Sequence, residues 1–480
     1  MKSKVIIIGL LVILHCGFTS CNGEEFWRDA KPETSNLSVK NDPVVLSLNE
    51  KGESGDLYQV TKEDVSNFSR SLRPNKDYEM TFYVNRNDTL LYLLDYGDEW
   101  IIVAGDKRIN PFVAESDKDR LSFDTANEEL KVWIDSYADE VRVIRKDTRE
   151  VENEHTKFWN MISQNKPKIK VKTRNPEYKW AVVTYTYIDS ETPSDVVSHL
   201  TSTEWGQKYP WNADFPADIN NSNWRCRAGC GPVAFAQMVY YMHYHLGKPT
   251  ALYHDISVAS SVSGPTANIG FSRSGLNSNS TRWNSMALNY TQESTSYVGD
   301  LLLDIGNRFG SVYSGEKTSG NISASAANYY NLTFSVSNYN YQLVKTDLQN
   351  SKPVYVTASY KDPSTNEYEG HAWLIDGWGF KTRHYTIQKT FEYTENWMYA
   401  SEYYDTFDEL RARYHINSEY DVVEEDGGTN TSEYLRMNWG QSGVSNGGYY
   451  DTYPSSTWTF HGDFENYNYY YEKKIRYDFR

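Results

Sequence analysis

The chain has four cysteines in 480 residues, fewer bases than acids, and one apolar run of any length. Each shortage excludes something. Four cysteines cannot build the disulfide framework that staples small exported domains. Lys and Arg total 48 against 64 Asp and Glu, a net charge of −16. That balance argues against nucleic acid as a partner, because phosphate binding needs a basic face. The apolar run VIIIGLLVILHCGF, residues 5–18, follows Lys2 and Lys4. It is too short and wrongly flanked to span a bilayer, so it reads as a secretory signal. What is there suits a globular protein: 39% hydrophobic and 15% aromatic residues, over a length sufficient for two or three domains.

Small residues Thr19 and Ser20 precede Cys21. The arrangement resembles a bacterial lipoprotein signal, although Phe18 stands where that pattern prefers Leu. The resemblance implies a signal over residues 1–20, a lipid on Cys21 and a tether over 21–55. The chain would then be held at the cell envelope, on the outer surface or the periplasmic face, touching the membrane only through that lipid. With Cys16 in the signal and Cys21 lipidated, only Cys226 and Cys230 remain. His243 and His245 lie too close together for the usual H-x₃₋₅-H ligand pair, so no metal site is expected.

From residue 57 the pattern turns structural. Thr61 and Asp64 have capping-box spacing before Val65, Phe68 and Leu72 at helical intervals. MTFYV (80–84), LLYLLDY (90–96) and EWIIVAGD (99–106) read as strands. A second helix is expected from Asp124 and Thr125, with Leu130, Trp133, Ile134, Tyr137 and Val141 on one face. These form a small α+β unit, residues 56–145. Residues 146–179 are highly charged, with Lys166, Lys168, Lys170, Lys172 and Arg174, and read as an exposed connector open to proteases. From 180 to 480 the texture is strands and loops between few helices. One helix is clear at VGDLLLDIGNRF, and KPVYVTASY (352–360) and HAWLIDGWGF (371–380) read as a hairpin.

The stretch NWRCRAGCGPVAFAQMVYYMHYH, residues 223–245, carries the chemistry. Pro232 suits a first helical turn, and a helix from about 232 to 245 puts Cys230 at its positive end. That position favours the thiolate, the form that attacks carbonyls. Gly229 and Gly231 permit close approach, and the Cys230 N–H can stabilise an oxyanion. A buried structural thiol fits the same residues. A nucleophile needs a base, and His371 follows Gly370 at the start of a strand, 141 residues after Cys230. That lies within the roughly 130–150 spacing of papain-like enzymes.

The ordered phrases WGQKYPWN (205–212), GCGPVAFAQMVYYMHY (229–244), a WN near 283, GHAWLIDG (370–377) and NWG (438–440) resemble the streptopain family of cysteine peptidases. Residues 57–141 are similar to that family's prodomain. The resemblance implies an α+β papain-like peptidase domain over 180–480, preceded by a small α+β prodomain that inhibits it. It implies Cys230 as nucleophile, His371 as general base, Gln207 with the Cys230 N–H as the oxyanion hole, and Asn438 and Trp439 orienting and shielding the histidine. The partners are then protein or peptide substrates and the chain's own prodomain, with no cofactor. Three departures stand out. His371 and Asn438 are 67 positions apart, which implies an insertion at about 381–433, an extra hairpin or flap. Gln441 replaces a usual second tryptophan. Cys226 is additional and reads as a bystander.

The expected activity is a cysteine endopeptidase made as a zymogen and cut in the connector. An inactive surface lipoprotein, and an amidase or acyltransferase on the same dyad, are the alternatives.

Overall fold

The computed structural model describes residues 57–85, 88–124, 126–147, 149–163, 177–218, 221, 223–244, 246–247, 285–292, 295–313, 318, 320, 322–361, 368–452 and 471–480. Short strand segments at 37–39, 256–258, 261–262 and 271–273 are described as well. Cys21, residues 164–176 and the WN near 283 lie outside these residues. Among the described residues, no helix is long and apolar enough to cross a membrane.

The N-terminal unit opens with helix α1 (Lys62–Leu72). Its capping box is formed: Thr61 Oγ1 accepts from the Asp64 N–H at 3.1 Å, and the Asp64 carboxylate accepts from the Thr61 N–H at 2.9 Å. Val65, Phe68 and Leu72 are buried, as their spacing requires. The strand Leu37–Val39 (β1) edges an antiparallel sheet of β2 (Tyr78–Asn85), β3 (Asp88–Asp95), β4 (Trp100–Ala104) and β5 (Phe112–Ser116). Helix α2 runs Glu128–Ile144. It starts later than the sequence suggests because Asn127 takes the cap, its side chain accepting from the Leu130 N–H at 2.8 Å.

One expectation needs correction. The connector is not exposed throughout: residues Glu154–Ile162 form helix α3, capped by Asn153 and Thr156. Phe158, Trp159 and Ile162 are buried against Phe68 of α1. The charge of the whole segment masked this local apolar face.

In the C-terminal unit, helix α4 (Cys230–Tyr244) packs against α5 (Thr295–Arg308) in an apolar core. Beside them lie β6 (Lys179–Val197), β7 (Ser335–Asn338), helix α6 (Tyr341–Gln349), β8 (Val354–Lys361), β9 (Tyr368–Thr394), helix α7 (Phe407–Tyr414), β10 (Val423–Asn438), β11 (Tyr449–Tyr450) and β12 (Tyr471–Tyr477). The expected hairpin is β8 and β9, with Ala358 opposite His371. The expected insertion is largely a continuation of β9 and β10 beyond the half of the sheet that carries His371, closed off by α7. In this extension, an arm of the sheet, β9 lies between β6 and β10, and the short strand Glu402–Tyr404 pairs with the other side of β6.

The two units share one thirteen-stranded sheet, ordered β1-β2-β3-β4-β5-β11-β10-β9-β8-β12-β7, with β6 pairing β9 in the arm and the short strand Glu402–Tyr404 pairing the other side of β6. The junction is short: Tyr449 pairs with Glu115 and Tyr450 with Ala114. A common core reinforces it. Leu130, Trp133, Ile134 and Tyr137 of α2 are buried with Trp373, Leu435, Trp439 and Tyr450 of the C-terminal unit. On the far side, Tyr385 of the arm enters the core formed by α1, α3 and the N-terminal sheet, its ring 5.5 Å from that of Phe158. Apolar burial on two sides therefore holds the N-terminal unit down.

Candidate active site

Cys230 begins α4, whose first backbone bond runs from the Val233 N–H to the Gly229 carbonyl at 3.1 Å. Gly229 has φ +92°, a region costly for other residues, and a side chain there would press on Thr318. Pro232 sits in the first turn, where its missing N–H costs nothing. The sulfur thus lies at the positive end of the helix.

His371 comes from β9. Its imidazole contacts Cys230, and the two groups lie within 4.8 Å of each other and of Glu129. The sequence-derived pair is brought together. Both are nearly closed to solvent, 5% and 9% exposed.

Glu129, in the first turn of α2, covers them. Its Oε1 accepts from Gln207 Nε2 at 2.9 Å and its Oε2 from Gln441 Nε2 at 2.7 Å. His371 Nδ1 stands 3.7 Å from Oε1, an ion-pair rather than a hydrogen-bond distance. The carboxyl is fully buried, and that burial raises its pKa to about 7 against the pull of His371. For His371, burial acts to lower the pKa, but Cys230 and Glu129 outweigh it and carry it up to about 10. The imidazole is therefore held cationic between two acidic groups. Nearby, Arg227 of the C-terminal unit pairs with Glu128 at 2.8 Å.

Gln207 thus reaches the site, although its amide is committed to the prodomain carboxylate. Asn438 lies on the adjacent strand, and its Nδ2 donates to Thr201 Oγ1 at 2.9 Å and to the Thr203 carbonyl at 2.7 Å. Thr201 in turn bonds Asp376, which also holds His199 Nδ1 at 2.9 Å. Asn438 therefore fixes the strand end through this network. Trp439 is buried, packs against Trp373 at a tilt with ring centres 5.4 Å apart, and donates to Tyr450 at 3.1 Å. Trp373 lies two positions beyond His371, so Trp439 shields the same stretch of β9. Cys226 is a free, buried thiol, and burial, with Asp218 adding to it, pushes its pKa to about 12. It has no thiolate to offer at neutral pH.

Sequence reasoning missed Glu129. In ANEELKVW it is an acid in the first turn of a helix, an ordinary dipole-favouring residue. Only the fold brings it to a site formed by residues far along the chain. Gln441 was visible as a departure, and its role follows from Glu129.

A thiol beside an imidazole can attack an acyl carbon, with amide donors close by for the resulting oxyanion. Family models agree with this chemistry. Residues 205–450 match the Peptidase C10 family, and residues 56–141 match the Spi protease inhibitor family. Among solved structures, a prointerpain A fragment from Prevotella intermedia is similar at 18% identity and a TM-score of 0.45, covering 83% of this chain and 98% of that one. Active interpain A cysteine protease from the same organism is similar at 19% identity and a TM-score of 0.36, covering 60% and 95%. No curated protein matches the chain.

Proposed function

The chain belongs to the Peptidase C10 family, and from that premise we propose that Cys230 and His371 are its catalytic dyad, held latent in this form by Glu129. It is a cysteine-type peptidase carrying an inhibitor-like prodomain. Cys230 attacks the scissile carbonyl, His371 takes and later returns the proton, and the acyl group passes through a thioester. The tetrahedral oxyanion is received by the Cys230 N–H and the Gln207 amide. Asn438 and Trp439 hold and shield the strand that carries His371. The substrates are proteins or peptides cut internally.

The observation that carries this reading is the position of Glu129. A prodomain carboxylate takes the hydrogen bond of Gln207 and lies beside His371. Substrate and prodomain therefore compete for one place. Cleavage in the connector, residues 146–179, followed by release of the prodomain, would open the cleft. Lipidation of Cys21 would hold the precursor at the cell envelope, and cleavage of the connector would free the processed peptidase from its anchored prodomain.

Incubation of the processed enzyme with an unfolded protein, and separately with small amides, tests the reaction class. Internal cleavage of the unfolded protein, absent in Cys230→Ala and in His371→Ala, supports the reading. Turnover of small amides alone would contradict it.

A further inference from the structure

We propose that the latent chain carries a zinc(II) site made of Glu129, Cys230 and His371, closed by the prodomain and lost with it. The inference rests on the reading of Cys230 and His371 as the dyad. The sulfur, an imidazole nitrogen and a carboxylate oxygen lie within 4.8 Å of one another, and all three residues are buried. Thiolate, imidazole and carboxylate are the ligand types that tetrahedral zinc takes, and three protein ligands leave one position open. Ligand atoms around such an ion stand roughly 3–4 Å apart, given its bond lengths. The 3.7 Å between His371 Nδ1 and Glu129 Oε1 is already in that range. Small side-chain shifts bring the sulfur into it.

The surroundings are arranged as those of a ligand carboxylate commonly are. Gln207 and Gln441 each donate to one oxygen of Glu129, fixing its orientation while leaving a lone pair on each. Gln207 Oε1 is itself buried and finds no hydrogen-bond donor among the described residues. Charge favours occupancy as well. A bound ion would displace the proton from His371, and the thiolate and carboxylate left facing a neutral imidazole sum to −2, which a divalent cation neutralises.

The three ligands sit on α2, α4 and β9, so the ion would tie the prodomain to both halves of the dyad. The short-range Cys and His spacing that excludes a metal in the sequence is no contradiction, because the third ligand comes from the prodomain. Zinc would thus hold the chain inactive by occupying the nucleophile and its base together, and losing the prodomain would leave only two ligands.

The test uses the full-length zymogen, freed of metal by chelator and shown uncut by intact mass. Zn²⁺ is titrated against a chromophoric chelator, and Co²⁺ is used to detect thiolate ligation from its near-ultraviolet absorption. We expect one ion per chain, a Co²⁺–thiolate band that Cys230→Ser abolishes, and Zn²⁺ binding weakened about tenfold or more by Glu129→Gln. Should Glu129→Gln fail to fold, Glu129→Asp, with its shorter reach, is expected to weaken binding in the same direction. No uptake, or uptake that neither the Cys230 nor the Glu129 substitution changes, overturns the site. A thiol-directed epoxide added to the processed chain separates the two readings. Labelling of Cys230 and proteolysis without metal uptake by the zymogen overturns the zinc site alone. Metal uptake by a chain whose Cys230 never becomes reactive overturns the dyad.

Discussion

Glu129 Oε1 accepts a hydrogen bond from Gln207 Nε2 at 2.9 Å. The prodomain thereby places a carboxylate oxygen on the amide we assign to the oxyanion, and His371 is drawn toward the same oxygen. Latency in this chain is then a matter of occupancy, since Cys230 and His371 are already in contact. What the site lacks is access.

Removing the carboxylate should restore some of that access. In metal-free zymogen, Glu129→Ala gives up two amide hydrogen bonds to a charged group, each worth roughly 1.5–3 kcal/mol in well-formed cases, partly offset by relief of a buried acid. We predict that Cys230 of the uncut zymogen reacts with an epoxide about tenfold faster or more in this variant, a loss of roughly 1.4 kcal/mol of protection. Labelling rates by mass spectrometry measure it. Equal rates in both proteins would contradict the occupancy account.

The pH dependence of prodomain binding has a definite sign. Glu129 has its pKa raised to about 7 when covered, against an ordinary value of roughly 4.3. A group raised in the bound state contributes fully below its free pKa and loses that contribution as pH rises through the bound value. The nicked prodomain should therefore bind more weakly between about pH 4.3 and pH 7 as pH increases. Binding measured across that window on a Cys230→Ala background, without metal, should be flatter in Glu129→Gln. An unchanged slope would remove Glu129 from the explanation.

The arm makes a separate prediction. Tyr385 is 2% exposed, packed against Phe158 on a face remote from the dyad, and Arg383 behind it pairs with both Glu115 and Glu191. Tyr385→Ala should destabilise the prodomain's seat by about 3 kcal/mol, in line with other buried aromatic truncations. A lower Tm of the zymogen with unaltered kcat/KM of the processed enzyme is expected. A fall in kcat/KM with no change in Tm would assign the arm to substrate instead.

The two remaining thiols should be separable by reactivity. Burial raises Cys226 to about 12, so it should resist alkylation near pH 8 in the folded processed enzyme, where Cys230 reacts. Cys226→Ser should retain activity. Labelling that divides equally between the two cysteines would contradict this.

Much of this site could be read from the chain itself, for reasons that are local. Gly229 and Pro232 set the helix start that presents Cys230, and the Thr61–Asp64 capping box and the apolar spacing of α1 and α2 are short-range patterns. Tertiary relations could not be read the same way. The α3 helix hid inside a charged segment because Phe158, Trp159 and Ile162 are too few to dominate its composition. The arm appeared only as excess length between His371 and Asn438, since nothing in residues 381–433 announces that Tyr385 will complete a core belonging to the prodomain. Asn438 was expected to address His371 directly, whereas its side chain secures Thr201 and Thr203. Glu129 and Gln441 are ordinary residues until the fold joins them.

We predict that the dyad cuts its own connector once the prodomain yields. It is tested by intact-mass time courses of the metal-free zymogen and of Cys230→Ala, each with and without a thiol-directed epoxide. Trimming by the wild type alone, within residues 142–180 and blocked when the epoxide labels Cys230, is the predicted result. Should neither protein trim, and Cys230 remain unlabelled even after an external protease has cut the connector, the account is contradicted.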